Sequence, residues 1–149
     1  MSKSNQALIP ALSVDGGAAA LAFYKRAFGA TERYRLEEPG GKIAHAELEL
    51  LGSTLMLADE YPELGFVGPH KLSGSATHLT LYVPDVDAFA ARAVEAGAKI
   101  ERPMRDEFYG DRVVSLRDPF GHQWSIHTRK ENLSDEEIKQ RYEKLMAGG

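Results

Sequence analysis

Two stretches decide the fold: LSVDGGAAALAFYKRAFGA, Leu12–Ala30, and LYVPDVDAFAARAVEAGA, Leu81–Ala98. Each runs from an apolar strand through an Asp-containing turn into a short helix that stops at Gly-Ala. A shift of 69 residues lays Leu12 on Leu81, Val14 on Val83 and, further on, Gly52 on Gly121. Gly29-Ala30 and Gly97-Ala98 fall at a shift of 68, one residue lost between strand and helix. Repeated order in repeated context predicts a structural duplication.

Working outward, Ala7–Val14 reads as a strand, with Asp15 as a candidate helix cap. Ala18–Phe28 is a helix with Leu21, Tyr24 and Phe28 on one face, closed by Gly29. Thr31–Glu37, Ile43–Leu50 and Thr54–Asp59 are strands. In the middle one His45, Glu47 and Glu49 alternate with Ala46, Leu48 and Leu50. The second half repeats this. Thr77–Val83 is a strand, Asp85 caps the helix Val86–Ala96, and Lys99–Asp106, Arg112–Arg117 and His122–Thr128 are strands. Asp118-Pro119-Phe120-Gly121 marks a turn. The fold class is α+β: two βαβββ modules in tandem, 7–59 and 77–128, in one domain. The linker 60–76 is rich in Gly and Pro. A terminal helix over 134–146 opens with the capping box Ser134/Glu137. Its stripe of Ile138, Tyr142 and Leu145 predicts that it packs on something.

The 149 residues are 43% hydrophobic and 27% charged, the balance of an ordinary globular domain. Absence of cysteine excludes disulfides, thiolate metal sites and a cysteine nucleophile. Eighteen Lys and Arg against 22 Asp and Glu, with no basic cluster, argue against nucleic acid. Met1–Gln6 is polar and Ala7–Leu12 is too short for a signal or a membrane span, so a cytoplasmic protein is expected.

Within these modules, Asp118-Pro119-Phe120-Gly121-His122-Gln123-Trp124 resembles the vicinal oxygen chelate superfamily. That group includes glyoxalase I, extradiol dioxygenases, and fosfomycin- and bleomycin-resistance proteins. His45-Ala46-Glu47-Leu48, Leu55–Asp59 and Tyr109-Gly110-Asp111-Arg112 are similar to its PhnB-like branch. The resemblance spans Ala7 to about Leu145. It implies U-shaped sheets that pair around a cup, and a homodimer.

By the same resemblance, metal-using members carry ligands at positions matched here by Ile9, Met56, His78 and Ser125. Only His78 is a good donor, and a catalytic ion needs about three protein ligands. The expectation is therefore no metal and no cofactor. A small, partly apolar molecule would bind in a cup lined by Ile9, Met56, His78, Thr80, Tyr82, Ser125 and His127. The alternative is a metal-dependent lyase, isomerase or dioxygenase with a non-standard ligand set, His127 or Glu47 joining His78. His122 reads as a solvated turn residue, Trp124 as core and Arg112 as a salt-bridge partner. His45 and Glu47 are open between a solvent edge and the cup. No nucleophile–base constellation is visible, since G-x-S-x-G and H-E-x-x-H are missing.

Overall fold

The computed structural model describes residues 4–148. Strands β1 (Ala11–Val14), β2 (Thr31–Glu37), β3 (Ile43–Leu50) and β4 (Ser53–Asp59) form one sheet in the order β1-β4-β3-β2, with helix α1 (Gly17–Phe28) on it. The linker carries a 3₁₀ turn, Pro62–Leu64, and the short helix α2 (Pro69–Leu72). Strands β5 (His78–Tyr82), β6 (Lys99–Asp106), β7 (Asp111–Arg117) and β8 (Gln123–Arg129) form the second sheet, β5-β8-β7-β6, with α3 (Val86–Ala96). In both sheets the first and last strands of the module pair in parallel and the rest antiparallel. The pairing Ala11↔Met56 recurs as Thr80↔Ser125, each partner 69 residues on. The chain thus has the tandem βαβββ fold with a terminal helix, α4 (Asp135–Gly148).

Several details differ from expectation. Strand β1 begins at Ala11, not Ala7. Pro10 has no N–H for a ladder, and Leu8 is 86% exposed. Ile9 therefore precedes the strand. The cap of α1 is not Asp15. Gly16 takes the left-handed conformation, and Asp59 at the end of β4 reaches over instead. Its Oδ1 accepts from the amides of Gly16 at 3.1 Å and Gly17 at 2.7 Å, and its Oδ2 from Ile43 at 2.7 Å. Gly17 is required there, because a Cβ would lie 2.8 Å from Asp59 Oδ2 and from Ile43. Asp85 caps α3 as read, accepting from Ala88 N.

One core joins the modules. The apolar sides of both sheets (Leu48 and Leu57; Leu116 and Ile126) face α1 and α3, which pack on each other. Phe28 stacks on Phe89 at 5.2 Å and meets Trp124 edge-on at 4.9 Å. Trp124 is core as expected, 3% exposed. Burying this aromatic cluster stabilises the module pairing in proportion to area removed from water. The helix stripe on α4 packs only in part, with Tyr142 5.7 Å from the Phe108 ring and Ile138 half-buried. Tyr142, Leu145 and Met146 are each about half exposed, and the helix is tethered by Arg141 to Glu131 and the Phe108 carbonyl. Among the described residues no helix is long and apolar enough to cross a membrane.

Candidate functional site

Alternation along each strand sends one side chain to the core and the next to the opposite, open face. Because α1 and α3 lie together on the core side, each sheet's open face turns away from that core. Each open face carries a hollow.

The first, about 410 Å³, is lined by Ala11 and Ser13 of β1, Met56 and Ala58 of β4, and His45 of β3. Tyr61, Leu64 and Phe66 of the linker cover it. The two amide–carbonyl bonds between Tyr61 and Phe66 hold that cover as a closed loop. Tyr61 also donates its hydroxyl to Glu38, whose carboxylate pushes the phenol up to about 12. Glu47 pairs with Met56 across the ladder and so shares its face. It accepts from Tyr34 Oη at 2.8 Å and lies 3.3 Å from His45 Nε2. The Tyr34 hydrogen bond holds the Glu47 carboxyl below its ordinary range. The question left open for His45 and Glu47 is answered: both stand on the open face.

The second hollow, about 400 Å³, is lined by His78 of β5, Arg102 and Arg105 of β6, Tyr109, Ser115 of β7, and Gln123 and Ser125 of β8. Behind Ser125 runs a connected row of polar groups. Ser125 Oγ is 2.8 Å from His127 Nε2, and His127 Nδ1 is 2.9 Å from Asp111 Oδ2. Tyr82 donates its hydroxyl to the same Asp111 oxygen at 2.5 Å. Burial, then that hydrogen bond, raises the Tyr82 phenol and keeps it a donor. His127 and Asp111 are 7% and 3% exposed, whereas Ser125 opens to the hollow.

Of the seven residues expected to share one wall, five lie on the second sheet's open face: His78, Thr80, Tyr82, Ser125 and His127. Met56 is on the other sheet, and Ile9, ahead of β1, lines neither hollow. The physical reason is the helix packing, which within one chain keeps the two open faces apart. His127 is more buried than its place near the last strand suggests. His122 is not a free turn residue: its Nε2 is 2.9 Å from the Ser13 carbonyl. Arg112 stays on the helix side, forked onto Asp87 and bonded to Asp106, as expected. The Ser125–His127–Asp111 row contradicts the expectation of no nucleophile–base constellation. Its signal was present as Ser-x-His on one strand, with an acid at the start of the strand beside it.

Within one chain these donors do not gather around a catalytic divalent ion. Ile9 has none, Met56 offers a soft thioether, and Ser125 is a neutral hydroxyl already bonded to an imidazole. Both nitrogens of His127 are engaged, and within one chain Glu47 is on the other sheet. Among the described residues no three His, Asp or Glu side chains are placed to hold a metal ion.

Residues 7–126 match the family model of the Glyoxalase/Bleomycin resistance protein/Dioxygenase superfamily. An uncharacterized protein of Mycobacterium bovis is 40% identical over 136 residues, covering 89% of this chain and 90% of that one. The crystal structure of TioX from Micromonospora sp. ML1 superposes with a TM-score of 0.67 at 27% identity, over 84% of this chain and 99% of that chain. The fosfomycin resistance protein FosX of Listeria monocytogenes, crystallised with Mn(II), shares the fold: TM-score 0.65 at 19% identity, over 95% and 99% of the two chains. With four-fifths of its length matched to the family model and its two βαβββ modules in place, the chain belongs to the glyoxalase/bleomycin resistance/dioxygenase superfamily.

Proposed function

We propose that the protein, a PhnB-like member of this superfamily in the cytoplasm, binds a small, partly apolar molecule without a catalytic metal. The observation that carries the reading is the hollow over Met56. It has the size of a small-molecule pocket, an apolar floor, a few polar groups for orientation, and a cover of exposed apolar side chains, Leu64 and Phe66. The protein acts as a homodimer. The open face around Met56 in one copy meets the open face around His78 and Ser125 in the other, which gathers the divided wall into one cup. Module 7–59 of one copy then faces module 77–128 of the other.

The test uses anilinonaphthalene sulfonate, a fluorescent apolar anion, with sedimentation equilibrium in parallel. Saturable binding of one probe per cup is expected, along with a dimer. At a hundredfold excess over Kd the probe adds about 2.7 kcal/mol of apparent stability. That raises Tm by roughly 5–10 °C for a domain of this size. Met56→Arg places a charge on the apolar floor and abolishes both effects. Binding that does not saturate, or that survives Met56→Arg, refutes the reading.

A further inference from the structure

We propose that Ser125 is an activated nucleophile and that the second hollow performs acyl transfer on an ester or thioester. The inference goes beyond ligand binding and rests on groups of the second module alone, whether or not the Met56 face of another copy closes over them.

An ionised Asp111 beside a neutral His127 ring sets the direction of each hydrogen bond, which turns on the tautomer of that ring. An ionised Asp111 can only accept, so His127 Nδ1 carries the proton and donates to Oδ2 at 2.9 Å. The other nitrogen of a neutral ring is then an acceptor, so Ser125 Oγ donates to Nε2 at 2.8 Å. Nucleophile, base and orienting carboxylate stand in the order that hydroxyl activation requires.

The surroundings hold that order rigidly. Asp111 opens β7 and is fixed a second time by the Tyr82 hydroxyl. The His127 ring lies between Tyr82, at 5.0 Å, and Tyr109, at 6.2 Å. Base and carboxylate are shielded from water, and the hydroxyl alone faces the hollow. Satisfying a buried imidazole would not demand that arrangement, since any buried acceptor or donor would do. Across the hollow Arg102 makes no hydrogen bond or ion pair among the described residues, whereas Arg105 is paired with Glu107 and the lining Glu101 with Arg117, so Arg102 is the group that supplies positive charge for an oxyanion.

In the reaction the Ser125 Oγ–H proton passes to His127 Nε2 as Oγ bonds to the acyl carbon. The carbonyl π pair moves to oxygen. Collapse of the tetrahedral adduct breaks the bond to the alcohol or thiol, which leaves with the proton from His127. Water then repeats the sequence on the acyl-serine, releasing the carboxylic acid and restoring the hydroxyl.

The experiment treats the purified protein with a fluorophosphonate and, separately, with 4-nitrophenyl acetate. One phosphonyl adduct per chain, mapped to Ser125 by peptide mass spectrometry, and a burst of one nitrophenolate per chain are expected. Both fall at least 100-fold in Ser125→Ala and His127→Gln that retain the native circular dichroism. A burst that survives Ser125→Ala, or labelling spread over other serines, overturns the proposal. A second probe is independent of these variants' folding. The chain has no cysteine, so Ser125→Cys installs a single thiol. Iodoacetamide should alkylate it at least tenfold faster than the single thiol of Ala91→Cys on the exposed side of α3. The excess should vanish in Ser125→Cys/His127→Gln. Equal rates at the two thiols overturn the proposal.

Discussion

Asp118→Ala should cost more stability than any other single surface-to-core change in the Asp-Pro-Phe-Gly turn. The carboxylate is 3% exposed and accepts four hydrogen bonds. Oδ1 takes the amides of Phe120 at 2.9 Å and His122 at 3.0 Å, closing the turn. Oδ2 takes Tyr24 Oη at 2.5 Å and Trp124 Nε1 at 2.9 Å, joining α1 of the first module to β8 of the second. Burial first, and then the Asp118 charge, raises the Tyr24 phenol well above its ordinary range, so it remains a donor throughout the neutral region. Alanine leaves two buried side-chain donors and the Phe120 amide without an acceptor, while water can reach the half-buried His122. At about 1–3 kcal/mol for each of these three buried donors left unpaired, the loss is roughly 3–9 kcal/mol. That is a large share of the 5–15 kcal/mol typical of a domain. Tyr24→Phe removes one donor and leaves the acceptor three partners, so it should cost only about 1–2 kcal/mol. Urea denaturation of both variants and the double variant measures the losses and the coupling, which should be about 1–2 kcal/mol. An Asp118→Ala loss below about 1 kcal/mol with an unchanged m-value, or no coupling to Tyr24, would show that the clasp does not join the modules.

Three further outcomes follow from single contacts. Glu32 is held down to about 2, chiefly by the Arg35 hydrogen bond and then by Lys25. Its contribution is present above the ordinary carboxylate range and disappears as pH falls toward 2, so Glu32→Gln should lose about 1 kcal/mol less than wild type between pH 5 and pH 2, a difference kept small by solvent around the pair. Asp59→Ala strips the remote cap from α1 and should cost about 1–2 kcal/mol. Hydrogen exchange at the Gly16, Gly17 and Ile43 amides should accelerate, and unchanged exchange would contradict the capping role. Tyr142→Ser with Leu145→Ser on α4 should change the unfolding free energy by less than about 0.5 kcal/mol in dilute protein, because no residue of that helix is buried; a cooperative loss above about 1.5 kcal/mol would mean that the stripe packs within the chain.

The elements whose limits the sequence located best are those set by local chemistry. β2, β3, α3 and β6 match residue for residue: alternation in β3 and a 3.6-residue period in α3 run between turn or cap residues, and β6 is bounded by Gly97 and the turn at 108–110. What it mislocated depends on distant partners. Asp15 has the composition of a cap, yet Gly16 turns left-handed and the carboxylate comes from Asp59, 43 residues away. His122 looks like a turn residue until Ser13, from the other module, is seen to meet it. The open-face set on β5 and β8 was legible from period two alone. Its separation from Met56 was not, because that depends on how α1 meets α3. Asp111 reads as a turn residue in the sequence for a related reason: an ordered motif runs along the chain, whereas this row crosses from β8 to β7.

The duplication explains why the two hollows diverge in chemistry. Met56 and Ser125 are equivalent by register, as are Ala11 and Thr80. A metal site binds both modules to one donor set, so every position is constrained by the others. With a thioether at one equivalent site and a hydroxyl at the other, that mutual constraint is gone and each face can specialise. A single reversal would not restore it. A glutamate at position 125 would stand beside His127, hydrogen-bond that imidazole and surrender much of its charge to it. Ile9 would still precede the ladder, and position 56 would still lie on the other sheet. The polar row on the second face runs from Ser125 at the hollow through His127 to the buried Asp111, an order that serves a hydroxyl and not a cation.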